Sequence, residues 1–137
     1  MNKIIVNTDG GARGNPGPAA IGVVISDGTK IIKEYGKTIG TATNNIAEYE
    51  AVISALETLS KDLGDKSKQT DILIRADSEL IVRQLEGKYK VKEPNLQKQF
   101  IRVYNIKSKF KSVSYLHVFR EQNKEADRLV NEALDNK

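Results

Sequence analysis

Apolar and polar residues change their spacing along this chain, and the change separates strands from helices. Residues 3–9 contain the unbroken run Ile-Ile-Val, which predicts a strand buried on both faces. Residues 19–27 and 30–38 predict two more strands, and the Asp27-Gly28 pair between them is a strong hairpin signal. The first three strands are therefore expected to form an antiparallel meander.

Helical spacing begins after the meander. Apolar residues recur every three or four positions from Asn44 to about Leu63, which predicts a helix with Thr43 or Asn44 as its N-cap. After a polar loop, the remaining predicted elements are a strand at 70–76, a short helix at 78–85, a helix at 95–109, a strand at 113–119 and a helix at 123–136.

This order of elements predicts a single α/β domain over residues 1–137. Strands followed by alternating helices and strands predict a five-stranded mixed sheet flanked by helices. In that sheet an antiparallel meander is joined to parallel strands by right-handed crossovers. No internal repeat, low-complexity tract or linker interrupts the pattern.

Composition limits the chemistry. The chain has no cysteine and one histidine, so disulfides and thiolate metal sites are excluded and a zinc site is disfavoured. Any bound metal is expected to have oxygen ligands, which favours Mg²⁺ or Mn²⁺. No apolar run approaches the roughly 18 residues of a membrane span, and the first residues lack the pattern of a signal peptide. A cytoplasmic location is therefore expected.

The net charge of +4 is distributed unevenly along the chain. Between Arg83 and Lys111, nine basic residues stand against two acidic ones, so this segment carries +7 and the rest of the chain −3. A solvated helix face is the better explanation for any one of these lysines. The local excess as a whole favours a polyanionic partner.

Four carboxylates occupy positions that folding alone does not favour. Asp9 ends one strongly apolar strand and Asp77 directly follows another, and ligands of open α/β sheets bind at the carboxyl ends of parallel strands. Taken singly, Asp9 could belong to an Asp-Gly turn and Asp77 could cap the next helix. Glu48 and Asp127 fall on the apolar faces of their helices, where an uncompensated carboxylate is costly. Convergence on bound divalent cations explains all four positions.

Four sequence segments surround these acids. They are TDGGARGNPGPAAIG with Asp9, TNNIAEYEA with Glu48, RADSELIV with Asp77 and REQNKEADRLVNEA with Asp127. Together, in this order, they resemble ribonuclease H of type 1, and the resemblance runs over essentially the whole chain. It implies a ribonuclease H-like fold and endonucleolytic hydrolysis of the RNA strand of an RNA–DNA hybrid, which leaves 5′-phosphate and 3′-hydroxyl ends.

The resemblance also implies roles for individual residues. The metal ligands would be Asp9, Glu48, Asp77 and Asp127, which would hold two Mg²⁺ ions with Asp9 between them; Mn²⁺ is a potential substitute. The glycines of GGARGNPG would let the backbone approach the minor groove of the hybrid, where 2′-hydroxyls distinguish RNA from DNA. Contacts to the hybrid would be Gly11, Arg13, Asn15, Asn44 and Asn45, and Thr43 would help to hold a DNA phosphate. Charge and proximity, without a motif match, add Lys88, Lys90 and Lys92 as backbone contacts.

The chain departs from the family pattern in three places. The loop before Asp127, FREQNKEAD, lacks the histidine that many relatives carry, and Arg120 and Glu121 fill its place only loosely. His117 is expected to be a half-exposed structural residue of the fifth strand. Glu79 stands where relatives commonly have a glutamine. The segment GKYKVKEPN replaces their extra helix and basic protrusion, which implies weaker substrate affinity.

Other functions stay open from the sequence. One alternative is a related metal-dependent nuclease of the same fold that acts on double-stranded RNA or DNA, and another is a hybrid- or RNA-binding module without catalysis. The two asparagines before Glu48 favour the ribonuclease pattern. A pure binding module has no use for four acids that face phosphates. Double-stranded RNA stays open as a second substrate, while no membrane and no obligate protein partner are expected and a monomer is the default.

Overall fold

The computed structural model describes residues 3–136 of the chain. Its strands are β1 (Lys3–Ala12), β2 (Gly17–Ser26), β3 (Ile31–Ala42), β4 (Asp71–Ala76) and β5 (Ser112–His117). Its α-helices are α1 (Asn44–Leu63), α2 (Glu79–Leu85), α3 (Pro94–Lys107) and α4 (Lys124–Asp135). Residues 1, 2 and 137 of the predicted domain lie outside the described residues.

The five strands form one mixed sheet in the order β3-β2-β1-β4-β5. The pairs β1–β2 and β2–β3 are antiparallel, whereas β4 lies parallel to β1 and β5 lies parallel to β4. The predicted α/β architecture, a meander joined to parallel strands and flanked by helices, is confirmed.

β1 is longer than predicted. Its pairing with β4 ends at Thr8, opposite Ala76, but its pairing with β2 continues to Ala12, opposite Ala19. Asp9 is therefore the first residue of β1 beyond the end of β4, and the prediction that it ends the strand is wrong. Its predicted place at the carboxyl end of the parallel pair is confirmed.

The hairpin predicted between β2 and β3 is present. Asp27 Oδ1 accepts hydrogen bonds of 2.9 and 3.0 Å from the backbone N–H groups of Thr29 and Lys30. Gly28 has a φ of +99°, a conformation that favours glycine. The strand predicted at 30–38 extends further, to Ala42. The predicted polar loop after α1 is a 3₁₀ turn.

Helices cover both faces of the sheet. Val23 packs into the core that contains α1, whereas its neighbour Val24 packs against α4, because side chains of a strand alternate between faces. Gly22 lets α4 approach the sheet closely, since a Cβ atom there would lie 2.2 Å from the Ala126 carbonyl oxygen. Within residues 3–136, no helix is long and apolar enough to cross a membrane.

Candidate metal centre

Asp9 and Asp77 lie side by side at the end of two parallel strands. β1 and β4 are paired up to Thr8 and Ala76, and the next residue of each chain segment is an acid. Carboxylate oxygens of Asp9, Glu48 and Asp77 all lie within 4.8 Å of one another. Three oxygens at this spacing can bind a common hard cation.

Glu48 reaches this group from the beginning of α1. Thr43 caps the helix by accepting a backbone hydrogen bond of 3.2 Å, which confirms one of the two predicted caps. The Gly10 N–H donates a hydrogen bond of 3.0 Å to Glu48 Oε1. A Cβ atom at Gly10 would lie 2.2 Å from the Ala47 carbonyl oxygen, so the absent side chain is what brings Glu48 beside Asp9.

The glycines of the GGARGNPG segment have different roles. Gly10 and Gly17 make room for the chain itself, since a Cβ atom at Gly17 would lie 2.2 Å from the Arg13 carbonyl oxygen. The interpretation that the glycines serve the approach of nucleic acid is therefore wrong for these two. At Gly11 a Cβ atom would come no closer than 3.8 Å to Val130, which leaves the outer surface of Gly11 open.

Asp127 comes from the other face of the sheet, in the first turn of α4. Its carboxylate is not part of the compact group of three, but its charge helps to raise the pKa of Asp9, and it lines the same cavity. The four predicted acids therefore face one cavity of about 290 Å³. Ser78, and not Asp77, caps α2, so Asp77 has no capping role.

Burial and crowding oppose ionisation of these acids. Burial, and then the charges of Asp77 and Asp127, raise the pKa of Asp9 from 3.8 to about 8. Burial, and then the charges of Asp9 and Asp77, raise the pKa of Glu48 well above its ordinary value, while the nearby Arg120 guanidinium acts in the opposite direction. A divalent cation would favour the ionised forms instead. A set of four carboxylates without sulfur or imidazole fits Mg²⁺ or Mn²⁺.

Three of the predicted hybrid contacts line the carboxylate cavity, namely Gly11, Arg13 and Asn44. Arg13 forms an exposed ion pair of 2.7 Å with Asp135, the last residue of α4. Asn44 Oδ1 accepts a hydrogen bond of 2.9 Å from the Ala12 N–H. The strand that carries Asp9 and the start of α1 are therefore joined directly at the edge of the cavity.

The other predicted contacts in this region lie just outside the cavity wall. Asn15 Oδ1 accepts a hydrogen bond of 2.9 Å from the Asn44 N–H, so the loop between β1 and β2 is tied to α1. Thr43 is engaged as the helix cap, and Asn45 is half-buried beside it. Asn15 and Asn44 each use their side-chain oxygen within the protein.

The structure separates the two residues that replace the family's loop histidine. Arg120 lines the carboxylate cavity, and its charge opposes part of the increase in the pKa of Glu48. Glu121 lines a different cavity, and the auxiliary role expected for Arg120 and Glu121 stays a prediction. His117 is half-exposed, as predicted, and its ring meets the Phe119 ring edge-on with centroids 5.8 Å apart.

The predicted basic contacts lie on the loop between α2 and α3. Lys88, Lys90 and Lys92 are exposed, and Lys88 forms an ion pair of 3.6 Å with Glu86. This loop adjoins a separate, largely apolar cavity at Tyr89 and does not line the carboxylate cavity. The role of these three lysines at nucleic acid stays a prediction.

Sequence reasoning missed Asn123. This residue is 1% exposed, lies four positions before Asp127 and bonds to Asn7 and Thr8 of β1. The only signal in the sequence was its place at a predicted helix start, which suggests a cap. Sequence reasoning also missed Asp135. Its ion pair with Arg13 joins two residues far apart in the chain, so no local sequence pattern indicates it.

Comparisons with known proteins agree with this geometry. The family described as reverse transcriptase-like matches residues 7–133. The solved structure of LC11-RNase H1, isolated from compost by a metagenomic approach, is 53% identical in sequence with a TM-score of 0.92, and the match covers 98% of this chain and 97% of that chain. This chain belongs to the type 1 ribonuclease H family. The predicted ribonuclease H-like fold is thereby confirmed.

Two curated relatives of this ribonuclease H are longer than the chain. Ribonuclease HI of Halobacterium salinarum is 46% identical over 128 residues, and a bifunctional protein of Mycobacterium tuberculosis is 41% identical over 135 residues. The matches cover 93% and 97% of this chain, but only 62% and 36% of the two relatives. A structure of LC11-RNase H1 in complex with an RNA/DNA hybrid matches with a TM-score of 0.91 and 51% identity over 96% of both chains.

Proposed function

We propose that this chain is a metal-dependent endoribonuclease that hydrolyses the RNA strand of RNA–DNA hybrids and leaves 5′-phosphate and 3′-hydroxyl ends. The observation that carries the proposal is the meeting of Asp9, Glu48 and Asp77 within 4.8 Å at the carboxyl end of two parallel strands. Asp127 faces the same cavity. Clustered negative charge that faces a phosphate backbone is unfavourable for a simple binding module, so catalysis is the better explanation.

The four acids are proposed to be the residues that would hold two Mg²⁺ ions, with Mn²⁺ as a substitute. When bound, the two ions supply Lewis acidity at the attacking water and at the leaving 3′ oxygen. The chain's own contribution is to hold four hard oxygen donors in a cavity where burial and crowding disfavour their charged forms. In the metal-free protein, ionising these acids therefore costs free energy that a bound cation would offset, and this supports the proposed ligand set.

Arg120 is proposed to bind a non-bridging oxygen of the scissile phosphate. Its guanidinium lies in the cavity near Glu48 and stays protonated in proteins, so it can donate hydrogen bonds but cannot deliver a proton. Arg120 therefore orients the phosphate and is not the general acid. Glu121 is not included in this site, because it lines another cavity.

Recognition of the hybrid is proposed to use hydrogen-bond donors. Asn15 and Asn44 already use their side-chain oxygens to accept backbone hydrogen bonds within the protein. Their amide N–H groups remain to be donated to acceptors in a minor groove, such as 2′-hydroxyl oxygens. The other proposed contacts are Gly11, Arg13 and Asn45, with Thr43 at a DNA phosphate and Lys88, Lys90 and Lys92 at the backbone. The hybrid complex of LC11-RNase H1 supports this choice of substrate.

The remaining parts of the proposal concern the chain beyond its site. We propose that residues 1–137 form a single catalytic domain, which acts as a monomer without an obligate protein partner in the cytoplasm. The lack of cysteine supports a reducing compartment.

The test is a cleavage assay in which either strand of the hybrid carries the label, with Mg²⁺ or with excess EDTA. Cleavage of the RNA strand alone, with a 5′-phosphate on the downstream product, is expected only with Mg²⁺. Asp77→Asn should abolish cleavage, whereas the same change at the exposed Asp62, which pairs with Lys33 at 3.0 Å, should leave it intact.

The other outcomes identify the alternatives. Cleavage of the DNA strand would indicate a different nuclease of this fold, and binding without cleavage in either buffer would indicate a binding module. A duplex of two RNA strands is assayed in parallel, because cleavage there would widen the substrate class.

A further inference from the structure

Asn123 joins the loop that carries Arg120 to the helix that carries Asp127. Its backbone N–H donates a hydrogen bond of 2.9 Å to the Arg120 carbonyl oxygen. Its own carbonyl oxygen accepts a hydrogen bond of 3.1 Å from the Asp127 N–H, which forms the first turn of α4. The residue is 1% exposed, so these bonds are shielded from water.

The side chain of Asn123 reaches across to β1. Its Nδ2 donates a hydrogen bond of 2.9 Å to the carbonyl oxygen of Thr8, the residue directly before Asp9. Its Oδ1 accepts a hydrogen bond of 2.9 Å from Asn7 Nδ2. Both ends of one buried amide are therefore bonded to the strand that carries Asp9.

These bonds replace the capping role that an asparagine usually has at this position. Asn123 is the N-cap residue of α4, yet its side chain makes no hydrogen bond to the helix N-terminus. A capping side chain normally stabilises a helix by accepting hydrogen bonds from its first N–H groups, and the Asn123 side chain does not make that contribution. It fixes the distance between α4 and β1 instead.

That distance matters for Asp127 more than for the other acids. Asp9, Glu48 and Asp77 form the compact group, whereas Asp127 belongs to a helix on the opposite face of the sheet from α1. The position of its carboxylate depends on how α4 docks. α4 packs closely against β2 at Gly22, and Asn123 provides a hydrogen bond from the start of α4 to β1.

We infer that Asn123 is a positioning residue, which fixes Asp127 relative to Asp9 so that the four carboxylates can bind divalent cations together. It touches neither substrate nor metal and acts through Asp127. The activity part of this inference rests on the proposed function, whereas the metal-binding part does not.

The first experiment titrates Mn²⁺ into the protein without nucleic acid, by calorimetry, and then measures kcat and KM on a hybrid with Mg²⁺. Asn123→Ala is expected to weaken Mn²⁺ binding and to lower kcat by about 10- to 100-fold, the usual effect of removing a residue that orients a metal ligand. KM should change by less than about twofold, because the residues proposed to touch the hybrid are unchanged. Asn123→Asp keeps the size and the acceptor for Asn7, but it sets a carboxylate oxygen against the Thr8 carbonyl and should have as large an effect.

A matched control separates positioning from general stability. Tyr35→Phe removes hydrogen bonds of 2.8 and 3.0 Å to Ser54 and Thr58, and Tyr35 belongs to β3, which β2 separates from the strand that carries Asp9. It should lower the melting temperature as Asn123→Ala does, yet leave Mn²⁺ affinity and kcat at the values of the parent. Equal reductions of Mn²⁺ affinity in the two variants, at a temperature where both are folded, would overturn the inference.

A double-mutant cycle tests whether Asn123 acts through Asp127. In an Asp127→Asn background, Asn123→Ala should change Mn²⁺ affinity by less than about threefold, since the group it positions is gone. If Asn123→Ala reduces Mn²⁺ affinity by the same factor in both backgrounds, its effect does not act through Asp127 and the inference is wrong. If the parent binds Mn²⁺ with this pattern but does not cleave a hybrid, only the proposed function fails. If the parent cleaves and Asn123→Ala binds Mn²⁺ normally, only the positioning inference fails.

Discussion

The Gly10 N–H donates hydrogen bonds of 3.0 Å to the carboxylates of both Asp9 and Glu48, so one backbone amide holds an acid of the strand beside an acid of the helix. The arrangement requires α1 to touch β1 at this point. A side chain at position 10 would meet the Ala47 carbonyl oxygen at 2.2 Å. The spacing of two proposed metal ligands therefore depends on a residue without a reactive group.

Gly10→Ala should both destabilise the protein and weaken metal binding. The added methyl group forces α1 away from β1, which should lower the free energy of unfolding by at least about 2 kcal/mol, as overpacking against backbone does. Gly11→Ala is the matched change, because its Cβ atom makes only ordinary contacts at 3.8 Å or more. It should unfold like the parent and instead raise KM for the hybrid. Denaturant titration and steady-state kinetics distinguish the two, and equal decreases in stability would contradict this account.

Asp9→Asn should abolish hybrid cleavage and raise the melting temperature in EDTA. The substitution removes an acid whose ionised form is disfavoured by burial and by the charges of Asp77 and Asp127, so the metal-free fold becomes more stable while the ligand set is broken. Calorimetric melting with EDTA and with Mg²⁺ checks both parts. Mg²⁺ should stabilise the parent more than the variant. A variant that melts below the parent in EDTA would show that crowding is not the dominant effect.

The stability of the metal-free protein should fall as pH rises from about 4 to about 8. Asp9 has a pKa near 3.8 in the unfolded chain but near 8 in the folded chain. The folded state therefore binds more protons across this window, and the free energy of unfolding decreases with pH. Glu48, whose pKa is also raised, acts in the same direction.

Denaturant unfolding in EDTA at several pH values measures this slope. Asp9→Asn supplies the control, because the difference between its slope and that of the parent isolates Asp9. Saturating Mg²⁺ should make the unfolding free energy of the parent less dependent on pH, because bound cations stabilise the ionised carboxylates. Identical slopes for parent and variant in EDTA would refute the assignment.

Arg120→Ala should lower kcat on a hybrid by about 10- to 100-fold, approaching the effect of removing a single hydrogen-bond donor at the reacting centre. Arg120→Lys should restore only part of the rate, because a lysine cannot reproduce the planar, forked donor geometry. Glu121→Gln changes the neighbouring residue, which lines a different cavity, and should stay within about twofold of the parent. A larger effect at Glu121 than at Arg120 would reverse the assignment.

Hybrid affinity should fall steeply with salt, and the loop lysines should account for part of the slope. Each phosphate that a variant no longer neutralises is expected to reduce the slope of log affinity against log salt by about one. The variant in which Lys88, Lys90 and Lys92 are all alanine should therefore show a slope lower by up to about three. Replacing Lys61, Lys66 and Lys68, three lysines at and after the end of α1, provides a control of equal charge. Equal slopes for the two triple variants would remove the loop from the proposed interface.

Periodicity identified the elements and two of the acids well. Apolar residues repeat with the period of the element that buries them, and Glu48 and Asp127 stood out because each interrupts such a repeat. Both helical acids face the predicted cavity. A local pattern is sufficient where a residue's environment is set by its own helix or strand.

Tertiary structure explains what the pattern could not predict. The segment Asp9–Ala12 has the glycines of a turn, yet pairing with β2 keeps it extended. Asn123 has the position of a helix cap, but its side chain bonds to Thr8, 115 residues earlier in the chain. Arg120 and Glu121 are adjacent in sequence, and the 3₁₀ turn that contains them directs them to different cavities.

α1 and α4 lie on opposite faces of one sheet, and each supplies a carboxylate to the same cavity. Ions bound there would link the helices on the two faces of the sheet, at the edge where the pairing of the parallel strands ends. The rate-limiting step of ion release would then be the transient undocking of α4, a local opening whose frequency amide hydrogen exchange can measure. The exchange rate of bound ions would therefore depend on α4, which supplies only one of the four carboxylates.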